Sequence, residues 1–335
     1  HVGGNCYTEK DANTGITVHK YGPHIFNTDN QMVWDYISQF CELVPFVNRV
    51  KAMSKEEIFS LPINLHTINQ VFGRSFNPKE AESFIKSLGD SSIQAPRNFE
   101  EQALKMLGSE LYSRFFYGYT KKQWGCEPSQ LPASILKRLP VRFNYNDNYY
   151  NSKLQGIPKN GYTEIFEKLL ASENINVELN TRFTSSYPVE DYDHIFYTGP
   201  IDAFFDYKYG RLGYRTVHFE RHEVDGDFQG NAVINYCDED VAFTRVHEHK
   251  HFTPWESHSK SVYFKEYSKE TEDSDIPYYP KRLEEDKEKL LLYQLEVEHL
   301  NNFTFIGRLA TYRYMDMHHV IQEALEVASE YIKHG

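Results

Sequence analysis

Gly307-Arg308-Leu309-Ala310-Thr311-Tyr312-Arg313-Tyr314-Met315-Asp316-Met317-His318 runs directly into an amphipathic stretch, Val320 to Ile332, near the end of the chain. A glycine lets backbone approach a flat ligand closely, and the N-terminus of the following helix offers free N–H groups and a partial positive charge. An anionic ring system, such as the N1/C2=O edge of a flavin, would meet both features. A strand, a turn and a C-terminal helix that packs the core is the alternative, and these residues alone leave the two open.

The front of the chain decides between them. His1-Val2-Gly3-Gly4-Asn5 opens with a double glycine, and Tyr21-Gly22-Pro23-His24-Ile25-Phe26 follows at a short distance. With the terminal segment, these resemble the flavin-binding elements of the UDP-galactopyranose mutase family. Further stretches are similar to that family's signatures, in the family's order: Ser60 to Asn64, Gly118-Tyr119-Thr120-Lys121-Lys122-Gln123-Trp124-Gly125, Leu136 to Phe143, Gly230 to Tyr236 and Ile276 to Tyr279-Pro280. The resemblance covers essentially all 335 residues.

It implies an α/β fold in three parts. Residues 1–45, 172–212 and 284–335 would form an incomplete Rossmann-like FAD-binding domain, and residues 66–130 a helical insertion carrying a homodimer contact. Residues 46–65, 131–171 and 213–283 would form an antiparallel β-sheet domain bearing the substrate site. The FAD domain is expected to be incomplete because family members begin with a strand, a G-x-G-x-x-G turn, a helix and a second strand. No G-x-G-x-x-G occurs here and the chain opens at His1, so the sequence reads as a fragment starting roughly 35 residues into such a unit.

Composition narrows the partners. Hydrophobic residues at 40% suffice for a sizeable core in a chain long enough for two or three subdomains. A formal charge of −12 argues against nucleic acid or an anionic membrane surface as partner, so an anionic substrate would need locally placed arginines. The four cysteines, Cys6, Cys41, Cys126 and Cys237, form no C-x-x-C pair and read as reduced thiols of a cytoplasmic protein. No apolar run approaches the ~18 residues of a membrane helix.

Local patterning predicts a short helix over Gln31 to Phe40, a strand pair within residues 56–65 and a helix from Asn98. Asn98 is a good N-cap with Glu101 three residues on, and Ala103, Leu104, Leu107, Leu111 and Phe115 make an apolar stripe. Residues 131–160 read as a long loop or lid around Arg138 and Arg142. Val177 to Leu179 and a buried His194 to Gly199 read as strands. Alternating strands are expected across 213–267, including Val241 to Val246.

By resemblance, Arg138 rides a mobile loop that closes over the substrate's diphosphate, and Arg245 serves the same site. A guanidinium supplies a permanent charge and a fork that matches phosphate oxygens. Tyr119, Tyr149, Tyr279 and Tyr314 correspond to tyrosines that bind the diphosphate, Phe115, Thr120 and Trp124 to the uridine set, and Asn48 and Asn235 to polar pocket positions. His24 lies on a loop near the flavin, while Asn27 stands where many members carry a second histidine, which bears on acceptance of an N-acetylated hexose. Gly3, Gly4, Asn5, Arg308, Tyr314, Asp316, Met317 and His318 would contact FAD. His247-Glu248-His249-Lys250-His251 satisfies H-E-x-x-H, but the flanking residues favour a strand over the helix zinc binding requires; a strand would place all three histidines on one face, a weaker metal option, and no metal is expected.

The implied activity is an isomerase reaction between UDP-galactopyranose and UDP-galactofuranose, through a covalent adduct of reduced flavin N5 with the anomeric carbon. The alternatives are a UDP-N-acetylhexosamine mutase, an amine-oxidase-like flavin oxidoreductase and an inactive UDP-sugar-binding fragment.

Overall fold

The computed structural model describes residues 1–138, 141–184 and 187–334, without the side chains of 137, 138 and 334. Its largest element is a seven-stranded sheet with spatial order Tyr279–Pro280, Tyr214–Asp225, Lys260–Glu270, Arg245–Glu248, Val233–Tyr236, Lys51–Ser54, Glu57–Ser60. All neighbours are antiparallel except Val233–Tyr236 beside Lys51–Ser54, which run parallel. The expected antiparallel sheet is therefore a mixed one. The exception falls between strands far apart in sequence, where no hairpin dictates direction.

Strand Leu154–Pro158 lies between Phe26–Thr28 and Leu43–Pro45 in a separate three-stranded sheet. It thus joins the first 45 residues, not the large sheet with which the sequence reading grouped it. Phe303–Phe305 pairs in parallel with Ile195–Tyr197. Expected to be buried, this second strand instead leaves Phe196 42% exposed, because it is paired along one edge only. Val177 to Leu179 forms no strand, and both end residues are exposed. β-branched composition without a pairing partner is insufficient.

The helical region contains Leu65–Phe72, Pro78–Leu88 and Phe99–Tyr112, the last broken by a kink at Gly108 (φ 75°), which the expected continuous helix lacks. The last continues through a π-helical turn, Ser113–Tyr117, into Gly118–Trp124. Asn98 caps as expected, its Oδ1 accepting Glu101 N–H at 2.9 Å. The Glu101 carboxylate, however, accepts from the backbone of Arg97, so the reciprocal half of the capping box is displaced by one residue. The stripe Ala103, Leu107, Leu111 and Phe115 is core, packed with Phe59, Leu65 and Ile68. Among the described residues, no helix is long and apolar enough to cross a membrane.

The H-E-x-x-H stretch straddles the end of strand Arg245–Glu248 and a single turn, His249–Phe252. The three histidines do not share one strand face as the sequence reading allowed: His247 and His249 are buried, while His251 sits partly exposed beside Asp227. Glu248 is an anchor. Its carboxylate accepts the backbone N–H groups of Phe228 (2.8 Å), Gln229 (2.8 Å) and Gly230 (3.0 Å) and the Ser261 hydroxyl (2.6 Å). Burial alone would raise this carboxyl, but the donors from His251, Ser261, Phe228 and Gln229 hold it down at about 2.

Because the folded value lies below the ordinary 4.5, the stabilisation is complete above that pH and is lost as pH falls toward 2. Replacing Glu248 by Gln should cost about 3 kcal/mol in urea unfolding at pH 7, and much less at pH 3. An equal cost at both pH values would contradict the anchor.

Candidate active site

The candidate site is organised around one ion pair, between a part-buried guanidinium and a buried carboxylate. Arg245 opens its strand directly across from Glu266, in register on strand Lys260–Glu270. Its Nε and Nη2 donate to the same carboxylate oxygen, Glu266 Oε1, at 2.9 and 2.8 Å. Glu266 is only 2% exposed, and its Oε1 also accepts from Thr244 Oγ1 at 3.3 Å while Oε2 faces His247 Nε2 at 3.4 Å. Burial works against the Arg245 charge, yet the Glu266 carboxylate raises its pKa well above the ordinary guanidinium value. Pairing through Nε and Nη2 leaves Nη1 for another anion.

Phenols surround this cation. Burial raises the pKa of Tyr119, Tyr149 and Tyr279, the last to about 12, with the charge of Arg245 pulling each down in part. All three are neutral hydroxyl donors at physiological pH. Tyr279 stacks on Tyr314 at 6.2 Å, and the Arg308 guanidinium lies 5.9 and 5.2 Å from their ring centres while donating to Tyr278 O at 2.6 Å. Asn235 lies opposite Arg245 in the sheet register. The side-chain oxygens of Asn48 and Asn235 are buried and have no hydrogen-bond partner in the described structure. Buried acceptors left unpaired mark a place where a ligand can complete the bonding.

The first residues of the chain meet the start of its last helix. Cys6 Sγ, just past the double glycine, lies 3.5 Å from Met317 Sδ at the start of helix Met317–His334. Gly4 and Gly307 have φ of 51° and 84°, with nothing within 4 Å of where a Cβ would stand; Gly4 is exposed, whereas Gly307 is buried. His24 Nδ1 donates to Gly22 O at 2.8 Å, leaving Nε2 as an acceptor. Burial, with Arg308 and Arg245 nearby, lowers His24 to about 4, so the ring is neutral at pH 7.

Residues 114–314 match the family model described as UDP-galactopyranose mutase, and residues 1–40 match an NAD(P)-binding Rossmann-like domain. The chain belongs to the UDP-galactopyranose mutase family. As a member of a mutase family it is an isomerase. It is 56% identical over 332 residues to a probable UDP-galactopyranose mutase of Klebsiella pneumoniae, covering 99% of this chain and 86% of the relative. It is also 52% identical over 341 residues to dTDP-fucopyranose mutase of Escherichia coli, covering 100% of this chain and 90% of that one. A solved structure of reduced UDP-galactopyranose mutase superposes with a TM-score of 0.73 at 14% identity, covering 99% of this chain and 88% of that structure, and so shares its fold.

The residues carried over from the mutase family divide by position. Tyr119, Tyr149, Tyr279, Asn235 and Arg245 converge. Gly3, Gly4 and Asn5 lie in one turn, and Tyr314, Asp316, Met317 and His318 lead into the last helix. Trp124 is part-buried at the end of its helix, whereas Thr120 and Phe115 are 4% exposed, with Phe115 edge-on to Phe59 at 5.1 Å in the core. Arg138 ends the turn Ala133–Arg138, and its side chain lies outside the described residues. The Asn27 amide accepts from Ser152 Oγ at 3.0 Å, which fixes it within the three-stranded sheet.

Sequence reasoning missed Glu266, the partner of Arg245. An acidic residue within the alternating strand Lys260–Glu270 was the available signal, but only the register shows which residue it faces. Arg142, singled out in the expected lid, instead donates to the carbonyls of Asn146 and Asn148 and to Asn151 Oδ1, holding that loop together. Replacing Glu266 by Gln should lower stability by about 2 kcal/mol or more through the unpaired guanidinium, and adding Arg245→Met should restore most of the loss. Additive losses in denaturant titrations would exclude the pair as an energetic unit.

Proposed function

We propose that this chain interconverts UDP-galactopyranose and UDP-galactofuranose, with FAD held between the Gly3–Asn5 turn and the Arg308 to His318 segment. The observation that carries the reading is the Arg245 cation set among the neutral phenols of Tyr119, Tyr149 and Tyr279, with two unpaired asparagine oxygens. A diphosphate needs charge-assisted donors, and phenols add donors without adding charge. The unpaired acceptors suit hydroxyl and N–H groups of a sugar or a uracil. The exposed backbone at Gly4 and the open space beside Gly307 suit the isoalloxazine, and helix Met317–His334 offers its N-terminal N–H groups to an anionic ring edge.

When bound and reduced, the flavin supplies the nucleophile for the anomeric carbon. The protein's own contribution is positional and electrostatic. Arg245, with Arg138 from the loop, takes up the charge that grows on the diphosphate as its bond to the sugar breaks. Tyr119, Tyr149 and Tyr279 orient the phosphate oxygens, and Tyr314 stacks against Tyr279 and Arg308 at the cofactor side. Neutral His24, its Nδ1–H committed to Gly22, presents Nε2 to accept from a sugar hydroxyl.

The 52% identity to an enzyme named dTDP-fucopyranose mutase favours a second reading, in which the same chemistry acts on a dTDP-linked deoxysugar. Chromatography of the flavin-loaded protein with UDP-galactofuranose and with dTDP-fucofuranose, each with and without dithionite, separates the two. Conversion of the UDP-sugar only after reduction is expected. Turnover confined to the dTDP-sugar would select the second reading, and oxygen-dependent turnover without either sugar would overturn both. Arg138→Ala should remove nearly all turnover while leaving flavin absorbance intact; retained turnover would contradict its role.

A further inference from the structure

Helix Gly118–Trp124 supplies Tyr119, Thr120 and Trp124, but on its own it has two turns and little to hold it. Its other face is docked with unusual closeness. A Cβ on Gly118 would stand 2.5 Å from Cys237 O and 2.9 Å from Glu239 N. One turn on, along the same face, the Lys122 ammonium shares its three N–H donors among four backbone carbonyls: Tyr236 (2.8 Å), Asp238 (2.7 Å), Val241 (2.9 Å) and Phe243 (3.1 Å).

These carbonyls belong to the loop that joins strand Val233–Tyr236 to strand Arg245–Glu248. One end of the loop adjoins Asn235 and the other adjoins Arg245. Asp238 is pinned in turn, its carboxylate accepting from Lys55 N–H at 2.7 Å and Ser54 Oγ at 3.3 Å. At the helix's far end, Arg215 donates to Gln123 O at 3.1 Å and Lys122 O at 3.3 Å, and Ser268 donates to Gln123 O at 2.7 Å. Lys121, on the same helix, also pairs with the exposed Glu239 of that loop at 2.7 Å, but Lys122 is the helix cation that binds the backbone of the loop between Asn235 and Arg245.

We propose that Lys122 is a positioning residue for nucleotide recognition: its ammonium gathers four carbonyls of the 236–243 loop and so sets the helix bearing Tyr119 and Trp124 against the strands bearing Asn235 and Arg245. The inference rests on the nucleotide-sugar reading above for its ligand, and on the carbonyl cage for its geometry. A water-filled gap cannot replace the ammonium equally, because a cation's hydrogen bonds to carbonyls are stronger than neutral ones and share one donor centre. Lys122 itself does not touch substrate; it acts through the residues on either side.

The test is calorimetric titration of UDP into the flavin-loaded protein. Lys122→Met should weaken UDP about tenfold with the flavin spectrum unchanged. In Lys122→Ala, methylammonium chloride should recover much of that affinity by refilling the cage, whereas tetramethylammonium, which has no N–H to donate, should not. Unchanged UDP affinity in Lys122→Met, or equal effects of the two ammonium salts, would overturn the proposal. If Lys122→Met does not fold, Gly118→Ala strains the same contact from the helix side and should weaken UDP similarly; normal affinity there would also overturn it. Wild-type protein that binds no UDP would instead contradict the functional reading. Hydrogen exchange of the Tyr236 to Phe243 amides then decides the clamp alone, which requires faster exchange in Lys122→Met.

Discussion

A guanidinium can serve an anionic ligand only if it stays charged and stays put, and the Arg245–Glu266 pair meets both demands. Taking two charges out of water costs several kcal/mol per ion unless each is closely partnered. Glu266 is therefore held by three donors, Arg245 Nε, Arg245 Nη2 and Thr244 Oγ1, on one oxygen. The pair depends on the cross-strand register between Arg245–Glu248 and Lys260–Glu270, since a slip of one strand by one residue would turn one of the two side chains to the opposite face. The long pairing of Lys260–Glu270 with Tyr214–Asp225 secures that register from the other side.

The remaining elements are placed relative to this pair. Glu248, three residues beyond Arg245, anchors the loop at 228–230 to the same strand. Lys122 and Gly118 hold helix Gly118–Trp124 against the loop that precedes Arg245. Arg308 carries the arrangement to the cofactor side, where its guanidinium contacts the Tyr279 and Tyr314 rings. The site is thus built by a few buried or part-buried ions, each satisfied by fixed backbone or carboxylate groups, in a chain whose overall charge is strongly negative. Steering of an anionic substrate then falls to local cations, not to the net field.

Much of this was legible in the sequence, and the reasons differ by element. The Asn98 cap and the stripe from Ala103 to Phe115 follow from helix geometry, which is local. The convergence of the first residues on Met317 and of Tyr119, Tyr279 and Arg245 on one cleft came only through family resemblance, because these contacts join residues far apart in the chain. What failed was also non-local. Val177 to Leu179 has strand composition and no partner, Leu154–Pro158 pairs with a different sheet, and the H-E-x-x-H spacing is interrupted by the end of a strand. Glu266 and Lys122 carry no signal of their own. Their roles come from register and from four carbonyls that only the folded loop assembles.

The central claim is that Arg245, kept charged and oriented by Glu266, is the diphosphate-binding cation. Calorimetric titration of UDP and of uridine into flavin-loaded wild-type and Arg245→Met protein tests it most directly. The account predicts that the substitution weakens UDP by about 100-fold and leaves the weak affinity for uridine nearly unchanged. Equal UDP affinity in the two proteins, or parallel loss of UDP and uridine, would contradict it.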